Sequence, residues 1–273
     1  MKKKQKYCGY ITIIGRTNVG KSTLINQIVK KNISITSNKK NTTKKNIIGI
    51  KTNEFYQSIY IDTPGIYSND INSLKIIKNT NIIIFLIEAH IWKEKDEIIL
   101  KKIKKTNIPI IYVINKIDKL FNKNKILPYI NFLSKKTHST EIIPISAKKR
   151  ENINILENII KKYLPNNLHV FPKNYITTNS FYFEISEIIR KQVIFFLRDE
   201  LPSIIRVKIE SIKDQFKEIY IHAIIYVKNK RQKKIVIGYK GEMIKKISVS
   251  SRYHLEKENN KKTHLFILVL EKI

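Results

Sequence analysis

Residues 15–22 read Gly-Arg-Thr-Asn-Val-Gly-Lys-Ser, a complete G-x-x-x-x-G-K-[ST] sequence. The apolar run Ile11–Ile14 precedes this stretch, and a segment with helical spacing of apolar residues follows it. Between a strand and a helix this motif forms a phosphate-binding loop, because Gly15 and Gly20 let successive N–H groups turn towards one anion. Lys21 would reach the β- and γ-phosphates. The stretch therefore predicts a nucleotide site at the end of the first strand.

A second phosphate-site signal is Asp62-Thr63-Pro64-Gly65, at the end of the predicted strand Ser58–Asp62. The Asp62 carboxylate would hold Mg²⁺ through water, and the Gly65 N–H would meet the γ-phosphate. D-x-P-G alone is also a good β-turn, so its weight comes from its place after the phosphate loop. Residues of the first motif expected to bind the phosphates or the metal are Gly15, Asn18, Val19, Gly20, Lys21, Ser22 and Thr23. Ser22 and Asp62 are expected metal ligands.

Two later segments indicate which base is bound. Asn115-Lys116-Ile117-Asp118 closes the predicted strand Ile110–Asn115, and Ser146-Ala147-Lys148 follows the next one. The Asp118 carboxylate can accept hydrogen bonds from the N1–H and N2–H₂ groups of guanine, whereas adenine has no donor at either place and would leave the carboxylate unpaired. A backbone N–H of the second segment would reach guanine O6. The set therefore predicts GTP and GDP as ligands and ranks an ATPase low.

Three further residues bear on hydrolysis. Thr43, which with Thr42 lies in a polar, Lys-rich loop, is predicted to complete Mg²⁺ coordination in the triphosphate state; a plain solvated loop is the alternative. Ile66 stands where many GTPases have a water-orienting Gln, so slow intrinsic turnover is expected. Asn18 could ligate a monovalent cation, and the hypothesis is that K⁺ accelerates turnover. The residues expected to act in hydrolysis are Lys21, Thr43, Asp62 and Gly65.

Composition limits the setting in which the chain works. It has 273 residues, a formal net charge of +31 and a single cysteine, Cys8, so no intrachain disulfide forms and a reducing cytoplasm is the expected location. The longest apolar stretch, Ile82–Ile87, is too short to cross a bilayer. The charge favours polyanionic partners. However, the excess of Lys comes with much Ile and Asn, which share A/T-rich codons, so charge alone does not establish RNA binding.

The order of predicted elements gives the fold class. Up to about residue 164, β-branched runs alternate with amphipathic segments, which indicates an α/β domain with a mostly parallel sheet and helices on both faces. The strands are predicted at Ile11–Ile14, Ile47–Thr52, Ser58–Asp62, Ile82–Glu88, Ile110–Asn115 and Ile142–Ile145. The helices are predicted at Ser22–Lys31, Asp96–Lys105, Lys125–Lys135 and Asn152–Tyr163. Prolines and polar residues interrupt the pattern afterwards, so we expect domains at 1–165 and 181–273 with a linker at 166–180.

The second segment has the order of a smaller α+β domain. A helix is expected around Glu184–Arg198, and strands at Ile204–Ser211, Ile219–Val227, Lys234–Ile237 and His264–Leu270, with a helix ending near Glu258 before the last strand. Residues 235–247 have the V-I-G-x-x-G-x-x-I form of a KH module, whose G-x-x-G turn clamps nucleic-acid phosphates. The residues expected to contact RNA are Ile237, Gly238, Tyr239, Lys240, Gly241 and Lys245. An ordinary strand-to-helix turn is the alternative.

Taken together, these motifs resemble the Era family of bacterial GTPases, a Ras-like G domain followed by a type II KH domain. Tyr7-Cys8-Gly9, Tyr175-Ile176-Thr177 and Ser186–Arg190 add to the resemblance, which runs from Tyr7 to the C-terminus. It implies GTP hydrolysis with Mg²⁺, coupled to binding of the 3′ end of 16S ribosomal RNA during maturation of the 30S subunit. It also implies a cytoplasmic location with peripheral association at the inner membrane. A monomer is expected.

Two departures from the family pattern matter. The stretch 66–79 is shorter than the family usually has, and the chain stops at Ile273 where the family normally continues into a C-terminal helix. The first puts nucleotide-driven signalling in question, and the second predicts weaker RNA affinity and selectivity. Two alternatives stay open: a non-enzymatic RNA-binding scaffold with a slow G domain, and a related GTPase for tRNA modification or large-subunit assembly.

Overall fold

The computed structural model describes residues 5–34, 47–63, 79–139, 141–197 and 205–271. They divide into two compact units, one ending at Thr178 and the other beginning at Asn179. In the first unit the elements are β1 (Tyr7–Ile14), α1 (Lys21–Val29), β2 (Ile47–Thr52), β3 (Tyr56–Asp62), β4 (Ile82–Glu88), α2 (Glu94–Ile103), β5 (Ile110–Asn115), α3 (Ile126–Thr137), β6 (Ile142–Pro144) and α4 (Ile153–Tyr163). The second unit contains α5 (Phe181–Phe196), β7 (Arg206–Asp214), β8 (Glu218–Val227), α6 (Lys230–Ile237), α7 (Glu242–Asn259) and β9 (Lys262–Glu271).

The first unit is built on a six-stranded sheet in the order β2-β3-β1-β4-β5-β6. Only β2 runs antiparallel to its neighbour, and the other described pairings are parallel. The central strand β4 is buried along nearly all its length, as expected of a parallel strand covered on both faces. The side chains of Ile14, Phe85 and Ile114 pack in one core with helix residues such as Ile99 and Leu133. The predicted α/β class is confirmed, with boundaries that differ by a few residues.

The parallel sheet brings the predicted motifs together. The strands β1, β3, β4 and β5 end at Ile14, Asp62, Glu88 and Asn115, and their register aligns Ile13 with Asp62 and Glu88 with Asn115. The carboxyl ends of these strands therefore form one edge, the place where open α/β sheets bind ligands.

A return segment (residues 170–177) covers the free edge of this sheet. The Ile50 N–H donates to the Ile176 carbonyl at 2.7 Å, and the Thr177 hydroxyl donates to the Ile48 carbonyl at 2.7 Å. The buried Gln57 side chain holds the start of the segment, because its Oε1 accepts from the N–H groups of Val170 and Phe171 and its Nε2 donates to the Phe171 carbonyl. Within the predicted linker 166–180, these residues thus lie against β2 and β3.

The second unit has a three-stranded sheet in the order β7-β8-β9. The pair β7–β8 is antiparallel and the pair β8–β9 is parallel. Alternate residues of β8, from Ile219 to Val227, pack into a core with Ile189, Val193, Val236 and Ile247 from the helices, so the helices cover one face of the sheet.

One predicted element is wrong. Residues Lys234–Ile237, predicted as a strand, form the end of helix α6. The helix begins after Asn229, whose side chain accepts from the Gln232 N–H and caps it. A short β-branched run cannot be assigned to strand or helix from periodicity alone, and here Val236 faces the core from a helix.

Candidate nucleotide and RNA sites

The loop between β1 and α1 depends on two glycines. A Cβ on Gly15 would lie 2.4 Å from the Leu86 carbonyl oxygen, and one on Gly20 would lie 2.3 Å from the Asn115 amide nitrogen. Both contacts are far shorter than side chains tolerate, and Gly20 also has a φ of +104°. The backbone therefore runs close to β4 and β5 only because neither residue has a side chain.

Lys21 begins helix α1 and turns back over this loop. Its Nζ donates to the carbonyl oxygens of Gly15 and Arg16, both at 2.8 Å. Burial lowers the pKa of Lys21 to about 8. The nearby Asp62 carboxylate acts in the opposite direction, and the positive charge of Arg16 lowers the pKa slightly further. A phosphate at the loop would raise the pKa of Lys21 again, because an adjacent anion favours the protonated form.

Two of the three predicted metal ligands, Ser22 and Asp62, are in direct contact, and Ser34, which the sequence did not predict, joins them. The hydroxyl groups of Ser22 and Ser34 donate to Asp62 Oδ2 at 2.7 and 2.8 Å. Burial raises the pKa of Asp62, and Lys21 and the two hydroxyl groups oppose this shift. Asp62 Oδ1 is buried and has no hydrogen-bond partner among the residues described.

This oxygen set fits a hard cation. Mg²⁺ takes few protein ligands and fills its other positions with phosphate oxygens and water, so a serine hydroxyl and an orphaned carboxylate oxygen suit it. In the described parts of the chain there is no cluster of three or more His, Cys, Asp or Glu side chains that could hold a metal.

Asn115 connects the phosphate loop to the predicted base-binding segments. Its side-chain Nδ2 donates to the Val19 carbonyl at 2.7 Å, and its Oδ1 accepts from the Ala147 N–H at 2.9 Å. Asn115 is buried, so both hydrogen bonds are shielded from water. Strand β5 thus fixes the distance between the loop at residue 19 and the loop at residue 147.

The other base-site residues lie around the same turn. Lys116 has a φ of +69°, and its Nζ pairs with Glu88 Oε1 at 2.8 Å. The Ser146 hydroxyl donates to Asp118 Oδ1 at 2.6 Å, which holds that carboxylate beside the Ser146 loop. Lys148 is exposed. Among the described residues no hydrogen bond engages Asp118 Oδ2, so this oxygen can accept from donors on a purine.

The structure adds a buried ion pair that the motif analysis missed. Arg16 Nε lies 2.7–2.8 Å from the carboxylate oxygens of Asp96, and Arg16 Nη2 donates to the Ile91 carbonyl at 3.1 Å. Asp96 also accepts from the Lys93 N–H, as the acidic member of the α2 capping box. The pair ties the phosphate loop to the start of α2. The sequence signal was an acidic residue in the first turn of a predicted helix, which gave no indication of its partner.

Several predicted residues remain without a structural description. Thr43, Pro64 and Gly65, together with Thr42 and residues 66–78, lie outside the described residues. Thr63 donates its hydroxyl hydrogen to the Ile13 carbonyl at 3.0 Å, which joins the end of β3 to β1. Thr23 is partly buried, and Asn18 is exposed with a φ of +64°.

The predicted RNA-binding residues form the link between α6 and α7. Gly238 has a φ of +76°, and a Cβ there would lie 2.6 Å from Met243 Cβ; Gly241 has a φ of +81°. Between them the Tyr239 side chain is 76% exposed, and Lys240 Nζ lies 5.5 Å from the centroid of its ring. Ile237 packs partly into the core, whereas Lys245 is exposed on the first turns of α7. The link thus presents backbone and cations to solvent.

Two family models match the chain. One, described as a 50S ribosome-binding GTPase, matches residues 10–116, and the other, a KH domain, matches residues 200–272. A curated relative, GTPase Era of Buchnera aphidicola subsp. Schizaphis graminum, is 63% identical and the alignment covers 100% of this chain and 99% of the relative. The chain belongs to the Era family of GTPases. This membership disfavours both a non-enzymatic scaffold and a GTPase of another family.

Further relatives support the same family. GTPase Era of Haemophilus ducreyi is 41% identical, with 96% of this chain and 90% of that protein covered. A crystal structure of Era in complex with MgGDPNP and nucleotides 1506–1542 of 16S ribosomal RNA is similar over 98% of this chain and 94% of that one, with a TM-score of 0.92 and 35% identity. A crystal structure of a point variant of Aquifex aeolicus Era bound to GDP·AlF4⁻ also gives a TM-score of 0.92 and 35% identity, over 97% and 94%. None of the helices within the described ranges is long and apolar enough to span a membrane.

Proposed function

We propose that this GTPase couples Mg²⁺-dependent GTP hydrolysis to binding of the 3′ end of 16S ribosomal RNA during assembly of the 30S subunit. The nucleotide half of the proposal depends chiefly on one observation, the two buried hydrogen bonds by which Asn115 joins the phosphate loop to the Ala147 loop. The RNA half draws on the exposed G-x-x-G link and on the similar Era structure that was solved in complex with this RNA segment.

In hydrolysis the chain's own residues position charge. The backbone of residues 15–20 would surround the phosphates, and Lys21 would exchange its two carbonyl partners for phosphate oxygens. Ser22 and Asp62, already in contact, would hold Mg²⁺, which neutralises charge that develops on the transferring phosphate. Thr43 and Gly65 are proposed to complete this set in the triphosphate state.

Guanine selectivity gives a sharp test of the base site. An Asp118→Asn variant would present an amide donor in place of one carboxylate oxygen, so it should lose affinity for GDP and gain affinity for xanthosine diphosphate, which has a carbonyl where guanine has its amino group. A variant at exposed Lys148, Lys148→Ala, keeps the carboxylate and should retain the preference for GDP. If Asp118→Asn bound both diphosphates as the parent does, Asp118 would not contact the base.

RNA binding is tested by titrating RNA that copies the 3′ end of 16S ribosomal RNA against a scrambled sequence. Both are measured with GDP and with a non-hydrolysable GTP analogue across a salt series. We expect tighter binding of the true sequence, strengthened by the analogue and surviving moderate salt. If both RNAs bind with equal affinity and this affinity falls steeply as salt rises, binding depends only on the net charge of +31. That result would refute the RNA part of the proposal.

Turnover is expected to be slow, because Ile66 cannot orient water through a side-chain amide. Single-turnover hydrolysis with and without 30S subunits, each compared with Lys21→Ala, measures the rate and any activation. We also propose that Asn18 helps to bind K⁺ beside the phosphates; equal rates in K⁺ and Na⁺ buffers would refute this. A cytoplasmic monomer and peripheral inner-membrane association remain proposals, which fractionation and sedimentation test.

A further inference from the structure

The described helices of the second unit pack on one face of its sheet and leave the other face uncovered. Its residues alternate with those that face the core, and we call this surface the outer sheet face. It consists of Tyr220, His222, Ile224 and Tyr226 on β8 and His264, Phe266, Leu268 and Leu270 on β9. The intervening residues of β8 point to the other face and pack against the helices, as Ile221, Ala223 and Ile225 do. The outer sheet face is therefore the side opposite the helical layer that carries the G-x-x-G link.

Two stacked ring pairs lie on this face. Tyr220 and His264 are register partners whose ring centroids lie 4.4 Å apart at an interplanar angle of 10°. His222 and Phe266 are the next partners on the same face, with ring centroids 4.8 Å apart and an angle of 15°. Successive side chains on one face of a strand are about 6.6 Å apart, so the two pairs stand side by side along the strands.

Two of these four rings, those of His222 and Phe266, are exposed. Phe266 is 52% exposed and its neighbour Leu268 is 58% exposed. Within the described sheet β9 is an edge strand, because its only neighbour is β8. Since the rings stack across the two strands, the side of Phe266 turned away from His222 points towards this open edge. A further planar group could continue the stack there.

Strand β7 adds positive charge to the same face. Arg206, Lys208 and Lys213 are the register partners of Tyr226, Ile224 and Tyr220, and all three basic residues are exposed. Asp214 at the end of β7 pairs with Lys261, and two further acidic residues lie nearby.

One of these, Glu218, accepts from the Tyr220 hydroxyl and pairs with Lys262 at 3.3 Å, so its charge is engaged. The other, Glu210, lies at the bulge between Ile209 and Ser211. The basic residues thus form a row along the strand that borders the aromatic pairs.

We propose that the outer sheet face is a second RNA-contact surface, on which unpaired bases stack against Phe266 and the adjacent ring pairs while Arg206, Lys208 and Lys213 hold the phosphates. Bases that are splayed from a single strand stack on aromatic side chains, and basic residues beside the stack track the backbone. This combination of aligned rings and a flanking row of cations favours RNA over a lipid surface. The inference rests on the proposed RNA-binding function, and it adds a surface separate from the G-x-x-G link.

The test compares three substitutions in the full-length protein. Phe266→Ala removes the exposed ring, Phe266→Tyr keeps a ring, and Phe216→Ala removes another phenylalanine, 92% exposed, from the turn between β7 and β8. Affinity is measured for an unstructured RNA copying the 3′ end of 16S ribosomal RNA, and circular dichroism melts confirm that each variant is folded.

We expect Phe266→Ala to weaken RNA binding about five- to a hundredfold, the loss of one base stack, with Phe266→Tyr and Phe216→Ala near the parent value. In RNA carrying photoreactive 4-thiouridine, cross-links should map to residues of β9 in the parent and disappear in Phe266→Ala.

A Lys240→Asp variant of the G-x-x-G link separates this inference from the proposed function. If Lys240→Asp weakens binding while Phe266→Ala stays within twofold of the parent, the outer sheet face does not bind RNA and the proposed function stands. If the parent shows no preference for the true RNA over a scrambled one, both proposals fail. If Phe266→Ala instead abolishes binding to phosphatidylglycerol-containing vesicles and leaves RNA affinity intact, the surface is a membrane contact and the inference is overturned.

Discussion

The pair between Arg16 and Asp96 allows a quantitative prediction for the substitution Arg16→Met. Both side chains are buried, with Asp96 fully so. Removing one partner of a buried ion pair typically costs about 3–5 kcal/mol, because the other charge is left unpaired. Asp96 would keep its hydrogen bond from the Lys93 N–H, and Met replaces the aliphatic stem, so we expect the lower end, about 3 kcal/mol.

The assay is urea unfolding followed by tryptophan fluorescence. Trp92 is the only tryptophan in the chain, and it contacts Phe85 in the core of the first unit. It follows directly after Ile91, whose carbonyl accepts from Arg16. Its fluorescence therefore reports unfolding of the first unit alone, which avoids treating a two-unit chain as a single transition.

The loss of stability should also depend on pH. Burial raises the pKa of Asp96, and Arg16 opposes that rise. A raised pKa means that the folded state binds the proton more tightly than the unfolded state, so this group's contribution falls as pH increases from the ordinary Asp range through the folded value. Without Arg16 the pKa rises further, so Arg16→Met should destabilise the first unit more at pH 8 than at pH 5. A loss below about 1 kcal/mol, the level of an exposed pair, or an equal loss at both pH values, would refute this reasoning.

Three further outcomes follow from the site geometry. Asn115→Ala leaves two buried backbone groups without a hydrogen-bond partner, so it should lower the free energy of unfolding of the first unit by about 2–6 kcal/mol, measured by urea unfolding. Calorimetry should show that GDP affinity falls as well. The pKa of Lys21 is about 8 without nucleotide, so GDP binding at pH 8 should be accompanied by uptake of about half a proton. Calorimetric binding enthalpies measured in buffers of different ionisation enthalpy give this number of protons, and the uptake should be absent in Lys21→Met. Gly238→Ala combines a positive φ with a 2.6 Å approach to Met243, so it should destabilise the second unit by about 1–3 kcal/mol; a melt by circular dichroism with no lowered transition would contradict this.

Much of the nucleotide site could be predicted because its residues lie close together in sequence. The phosphate loop needs only local spacing between Gly15, Gly20 and Lys21, and apolar runs on either side identify the strand and helix that hold it. The structure brings Ser22 to Asp62, and Asn115 to Val19 and Ala147, at hydrogen-bond distance. The roles assigned to these residues in binding nucleotide stay predictions.

The remaining features depend on contacts between distant residues. The Arg16–Asp96 pair spans 80 positions and the Gln57–Phe171 contact spans 114, and neither belongs to a motif with recognisable spacing. Local propensity also gave the wrong prediction of a strand at Lys234–Ile237. A β-branched run is compatible with a buried helix face when a capping residue such as Asn229 starts the helix. The ring pairs on the outer sheet face could not be predicted from the sequence, because they depend on the register between β8 and β9. Alternation of polar and apolar residues shows which face a residue is on, but it does not show which residue lies opposite it on the next strand.

The return segment has a practical consequence for producing the first unit alone. A polypeptide cut at Pro165, the boundary that the sequence predicts, would lose every contact that residues 170–177 make with β2. It would leave an unpaired edge strand rich in isoleucine, on which a strand of another molecule can add. It would also remove the hydrogen-bond partners that the return segment gives to the buried amide of Gln57. Such a fragment should precipitate at concentrations where one ending at Thr178 stays in solution, so the useful place to separate the units lies beyond the prolines.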